Sequence, residues 1–216
     1  MAVYRLEDIV KDVKIALDRN GDSDALRDIR DLDTLTLDEI IESKVVEAVK
    51  IVHGTAPAHL LDGGNSFAYS FADAIYWQGK ECGWVLLPED FMRFVSFKMD
   101  DWDRAVFTCM STDDAEYEKQ SSPFKGIRGN ARNPKCFISV RPEGRVLEFY
   151  SCKTSNAKIT QAIYLPYPKI DELNSIEICS RCYNAVIYTI AALVAATYDN
   201  IDKNNVFNEL AKQTLV

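Results

Sequence analysis

The run CYNAVIYTIAALVAATY, residues 182–198, holds seventeen residues without a charge. A stretch like this has to leave water, so the rest of the chain must fold in a way that covers it. Two kinds of burial are open. A membrane-spanning helix needs about 20 predominantly apolar residues. This run is shorter, carries Asn184, two threonines and five alanines, and lacks the basic flanking clusters that orient a span. A central helix, apolar all round and covered by other helices, suits it better. At 47% hydrophobic and 27% charged over 216 residues, the chain has material for such a core and is not compositionally disordered.

Helices to cover the run are written at both ends. Leu6, Val10, Val13 and Leu17 recur at spacings of three or four, which predicts a helix over residues 6–19 stopped by Asn20-Gly21. Thr36 followed by Glu39 is a capping box. It opens a second helix with Leu37, Ile40, Ile41, Val45, Ala48, Val49 and Val52 on its apolar side, ending at His53-Gly54 before Pro57. Asn174 with Glu177 reads as a second such box. It predicts one long helix over residues 175–198, broken by DNID and followed by a short helix pairing Val206 with Leu210 and Phe207 with Ala211.

Between these ends the period changes to two. Val95, Phe97 and Met99 alternate with Ser96 and Lys98, and RAVFTCM (104–110) reads as another strand. KCFISVRPEGRVLEFYSC reads as a hairpin turning at Pro142-Glu143-Gly144, and AKITQAIYL as one more strand. The Gly- and aromatic-rich stretch 62–84 has no assignment. The expected class is α+β, a helical bundle built from N- and C-terminal helix pairs (1–60 and 175–216) with an inserted β-rich region (61–174).

Chemical motifs are scarce. The opening residues carry acids where a secretory signal would carry an apolar run, so the six cysteines are expected as reduced thiols. Cys179-Ser-Arg-Cys182 is a C-x-x-C, but a redox pair belongs at a strand-to-helix junction. The periodicity puts this one inside a helix, as buried small side chains. His53, in a last helical turn, is favoured there by the helix dipole, and neither it nor His59 has metal-ligand spacing to a second candidate. Asp18, Asp22, Asp24, Asp28, Asp31 and Asp33 lack the full calcium-loop pattern and read as a solvated acidic surface. Gly126 and Gly129 are not followed by the Lys-Ser/Thr of a phosphate-binding loop. An enzymatic reading would have to use Asp62, Asp73, Glu81 and Cys82, whose spacing demands no chemistry. The expectation is a protein without catalytic residues, cofactor or metal.

One segment stands apart. From Lys119 to Lys135 there are five basic residues and no acidic one, in a chain of net charge -8. An acidic chain of pI near 4.9 will not coat nucleic acid with its whole surface. The charges of 118–135 are therefore local, on a Gly-, Pro- and Asn-containing loop predicted to take shape only on a partner. It could be a solvated connection, a contact for an acidic protein surface, or a contact for a phosphate backbone. Phe124, between Pro123 and Lys125, is a natural anchor for a protein contact. The expected partner-binding residues are Lys119, Phe124, Lys125, Arg128, Arg132 and Lys135.

Several segments carry a family likeness. LEDIVKDVKIAL with LTLDEIIESKVVEAVKIVHGTAP resembles the opening helix pair of the head-to-tail connector (adaptor or ring) proteins of tailed bacteriophages. WVLLPEDFMRFVSFKMDDWDRAVF and YEKQSSPFKGIRGNARNPKCFISV resemble the central region of these connectors in crAss-like phages, and AVIYTIAALVAATYDNIDKNNVFNELAKQTL resembles their closing helix pair. The resemblance implies a structural virion protein of the neck. It implies a homo-oligomeric ring, usually of twelve copies, that docks on the portal protein and an adjacent neck or tail ring protein. Genomic DNA would pass through the channel without sequence-specific contact, and no membrane is involved. The larger β-rich middle departs from the small connectors. The alternatives are a regulatory or nucleic-acid-binding module acting through the loop, which lacks a recognition-helix signature, and a small intracellular enzyme. By charge alone, the acids flanking the first helix are expected to meet the basic loop of a neighbouring copy.

Overall fold

The computed structural model describes residues 1–17, 35–66, 75–78, 81–124 and 126–216. The fold is mixed α+β, and among the described residues it holds five α-helices and three sheets. The backbone divides into two compact units, 1–63 with 167–216, and 64–166.

In the first unit, strand β1 (Ala2–Arg5) runs directly into helix α1 (Leu6–Ala16), and α2 spans Leu37–Thr55. Strand β10 (Ser175–Ile178) pairs antiparallel with β1, and α4 (Tyr183–Thr197) and α5 (Ile201–Gln213) complete the unit. Helix α4 is packed by α1, α2 and α5. It buries Ala185, Val186, Ile187, Ile190, Ala191, Ala192, Val194 and Ala195, as its uncharged sequence requires. Its alanines let neighbouring helices approach closely. The Tyr183 hydroxyl, donating to Asp12 at 2.7 Å, ties α4 to α1. Among the described residues no helix is long and apolar enough to cross a membrane.

The Thr36 box is formed in both directions. The Thr36 N–H donates to Glu39 Oε2 at 2.7 Å and the Glu39 N–H to Thr36 Oγ1 at 3.3 Å. Thr36→Ala should cost about 1 kcal/mol, the usual value of such a cap, and thermal melting followed by circular dichroism at 222 nm checks it.

The second box is corrected. Asn174 has a left-handed φ of 52° and Ser175–Ile178 is a strand, so the long helix begins only at Tyr183. Ile176 and Ile178 are buried about exposed Glu177, a period-two pattern that the long apolar run after it obscures. Its partner β1 lies at the other end of the sequence. Asp199, at φ 54°, closes α4 where DNID was expected to break it. The predicted ends of the first helix at 18–21, and the acids from Asp18 to Asp33, lie outside the described residues.

In the second unit, β2 (Asn65–Ser66), β9 (Ile159–Pro166) and β5 (Phe91–Met99) form one antiparallel sheet in that order. The other sheet runs β3 (Tyr76–Trp77), β4 (Cys82–Leu86), β8 (Gly144–Tyr150), β7 (Lys135–Arg141) and β6 (Met110–Ser111). It is antiparallel except for the β6–β7 pair. The β7–β8 hairpin turns where Pro142-Glu143-Gly144 predicts, with Gly144 at φ 132°. RAVFTCM is corrected. It supplies only a single bridge from Val106 to Phe97 and the start of β6. Leu147, Phe149, Val85, Phe97 and Trp102 lie in one buried apolar cluster.

Candidate docking loop and the polar hub beneath it

Strand β8 is buried on both faces, because Val146, Leu147, Glu148 and Phe149 are all inaccessible. Period two sends Leu147 and Phe149 to the apolar cluster and Glu148 to the opposite face. That face is covered by the one-turn helix α3 (Ala115–Glu118), started by Asp114, whose Oδ1 accepts the Glu116 N–H at 2.8 Å.

Glu148 is a hub. Its Oε1 accepts from Ser139 Oγ (2.7 Å), Arg141 Nη2 (2.8 Å) and Arg141 Nε (3.1 Å). Its Oε2 accepts from the Tyr150 hydroxyl (2.8 Å) and the Tyr117 hydroxyl (3.1 Å). Burial alone would raise the Glu148 carboxyl, but the bonds from Ser139, Arg141 and Tyr150 outweigh it and hold the group below its ordinary range. Burial, and then the Glu148 charge, push the Tyr150 and Tyr117 hydroxyls up. The Arg141 guanidinium lies over the Trp84 ring at 5.1 Å, and Tyr76 stacks on Trp84 at 4.1 Å. A carboxylate with both oxygens saturated by donors is a poor proton acceptor and a good fastener.

Through Tyr117 this hub fastens the segment that follows. Gln120 is buried, donates to the Glu116 carbonyl at 2.8 Å and accepts the Gly129 N–H at 2.9 Å. Asn130 and Asn133 exchange backbone hydrogen bonds at 3.2 and 2.8 Å. Gly129 is pressed on Ser151, a residue at φ 99°, so closely that a Cβ there would sit 2.4 Å from Ser151 Oγ. The expectation of a segment that takes shape only on a partner is corrected for its described residues. They are folded onto their own sheet.

The basic side chains are correspondingly occupied. Arg128 pairs with Glu81, and Lys119 and Lys135 with Glu116, Lys135 at 3.8 Å. Arg132 reaches Asp103 only at 3.9 Å, and its side chain is 92% exposed. Lys125 lies outside the described residues. The tip is apolar. Phe124 is 67% and Ile127 54% exposed. The Ile127 and Arg128 N–H groups both donate to the Phe124 carbonyl (3.0 and 3.1 Å), and a Cβ at Gly126 would meet nothing. Ile127 escaped the sequence reading. So did the hub, although Ser139, Arg141 and Glu148 are polar at strand spacing inside an apolar hairpin, and that was a usable signal.

The other candidates have local roles. Asp62 accepts the Ser180 N–H with both oxygens (3.1 and 3.0 Å), which holds its carboxyl down against its burial. The Glu81 carbonyl accepts the Ser151 and Cys152 N–H groups at 2.9 Å. Burial pushes the Cys82 thiol up. Asp73 lies outside the described residues. Cys179 and Cys182 correct the sequence reading, because they stand between β10 and α4, at a strand-to-helix junction. Both are fully buried, and burial pushes the Cys179 thiol up to about 12, away from the thiolate that redox exchange requires. His53 is buried, and its Nε2 accepts the Cys179 N–H at 3.1 Å. That lone pair marks a neutral imidazole in place of a dipole-stabilised cation. The His59 carbonyl accepts from Arg181 at 3.1 Å. Among the described residues no group of three His, Cys, Asp or Glu side chains is placed to hold a metal ion.

Comparison with the models of known protein families finds no match, and comparison with curated proteins finds none.

Proposed function

We propose that this chain is a structural connector of a tailed-phage neck. It forms an oligomeric ring between portal and tail around the DNA exit channel, with residues 118–135 as a docking arm. The observation that carries the reading is the loop tip. A fastened loop holds Phe124 and Ile127 out to solvent, and exposed apolar anchors on a rigid support are characteristic of protein contacts. The paired state of its described cations favours a protein partner over a phosphate backbone, since an occupied cation releases few counterions. The unit made from both chain ends, with α4 packed by α1, α2 and α5, supports the bundle that the resemblance implies. A net charge of -8 suits a channel wall from which DNA must slide away.

Light scattering on the purified chain, alone and mixed with the portal protein encoded in the same genome, tests the proposal. Co-elution as one complex holding many copies is expected. A chain that stays monomeric beside the portal overturns the reading and returns the enzymatic and regulatory alternatives.

A further inference from the structure

We infer that the loop tip seats in the groove between α1 and α2 of a second copy of the chain. The inference rests on the connector reading and names what the docking arm holds.

The groove is open to solvent and has a volume of about 520 Å³. Ile15 of α1, half exposed, is the apolar surface of its wall, with Val10 buried behind it. Its rim is acidic on balance. Lys14 is taken up by Asp38 at 2.5 Å, which leaves Glu7 and Glu42 against Lys11. The tip presents Phe124 and Ile127 to solvent, and of the described cations around them Lys119, Arg128 and Lys135 are held by Glu116 and Glu81. Among the described cations of the segment, Arg132 is the one most able to reach across, being almost fully exposed and only loosely paired. An apolar tip with one available cation thus complements, in polarity and charge, a groove with an exposed apolar residue and an acidic rim, the condition for steering and register at an interface. The patches are different surfaces, so the contact is heterologous. Copies then add head to tail and close into a ring where the rotation permits.

The contact makes a prediction that a symmetric one does not. Phe124→Asp with Ile127→Asp removes the tip and keeps the groove. Ile15→Asp spoils the groove and keeps the tip. Each variant, changed only at exposed side chains, should associate with itself at least tenfold more weakly than the unaltered chain in sedimentation velocity. Mixed together, the two should form a heterodimer and stop there, because each retains the half that the other has lost. A photo-reactive p-benzoylphenylalanine at position 127, in chains mixed with nitrogen-15-labelled chains, should cross-link to residues 6–17 or 37–47 of the labelled copy. Variants that self-associate like the unaltered chain, a mixture that forms no heterodimer, or cross-links that fall elsewhere overturn the inference. Portal binding is scored separately. Copies that associate this way but ignore the portal keep the contact and overturn the connector reading. Variants that self-associate like the unaltered chain and still bind the portal do the reverse.

Discussion

Replacing Glu148 by alanine is expected to remove about 3 kcal/mol of stability at neutral pH, the lower end of the cost of breaking a buried ion pair. The lower end applies because the Arg141 side chain is 25% exposed and water can partly replace its partner. The loss is still large. Ser139, Tyr117 and Tyr150 give up the same acceptor, and buried donors left without one carry their full desolvation cost. Glu148→Gln, which keeps one acceptor oxygen and the shape, should cost about half as much, by the difference between charged and neutral hydrogen bonds. The pH dependence separates charge from packing. The folded carboxyl lies below its ordinary value, and the unfolded one titrates at about 4.3. The contribution is therefore complete above the unfolded value and lost as pH falls through the folded one. Urea unfolding at neutral pH and at about pH 3.5, below the unfolded carboxyl value, should show the unaltered chain losing more stability than Glu148→Ala does. Equal acid losses would sink the assignment. Because Tyr117 hangs from Glu148, amide exchange across 117–130 should also quicken in the alanine variant.

What was legible in the sequence was local. Thr36 and Glu39 are three residues apart, and their box formed as written. The hairpin carried its own turn. The uncharged run announced burial by composition alone. The start of the long helix is not legible locally, because β10 exists through its pairing with Ala2–Arg5, which no window around residue 175 contains. The loop shows the same limit. Its basic character was plain and Phe124 stood out, but Glu81, which pairs with Arg128, lies 47 residues away, and Tyr117 reaches Glu148 across 31. Reading charge without these partners turned a fastened loop into a loose one. The role of Glu148 is hidden for a related reason. In VLEFY it looks like the polar half of an alternation facing water, and only α3, folding over that face, turns it into a buried hub.

The residue next to it carries the larger mechanical penalty. Phe149→Ala should cost about 4 kcal/mol, within the range for truncating a fully buried aromatic ring. Phe149 is inaccessible, and its ring meets Trp77 at 5.5 Å, Phe97 at 5.7 Å and Trp102 at 6.4 Å. Three rigid neighbours cannot close over the space it leaves, so the cavity cost adds to the lost transfer energy. The partner across the ladder is Gly83, where a Cβ would stand 2.8 Å from Phe149 Cζ. Strand β4 carries a glycine there because the ring occupies the room a side chain would need. Gly83→Ala should therefore destabilise the unaltered chain by about 1–3 kcal/mol, as overpacking does. It should cost measurably less in the Phe149→Ala background. Some penalty persists there, because the Tyr76 carbonyl stands 3.0 Å from the same Cβ position. Urea unfolding of the four species gives the coupling directly. Additivity within about 0.5 kcal/mol, the behaviour of independent sites, would mean that the ring and the glycine do not share that space.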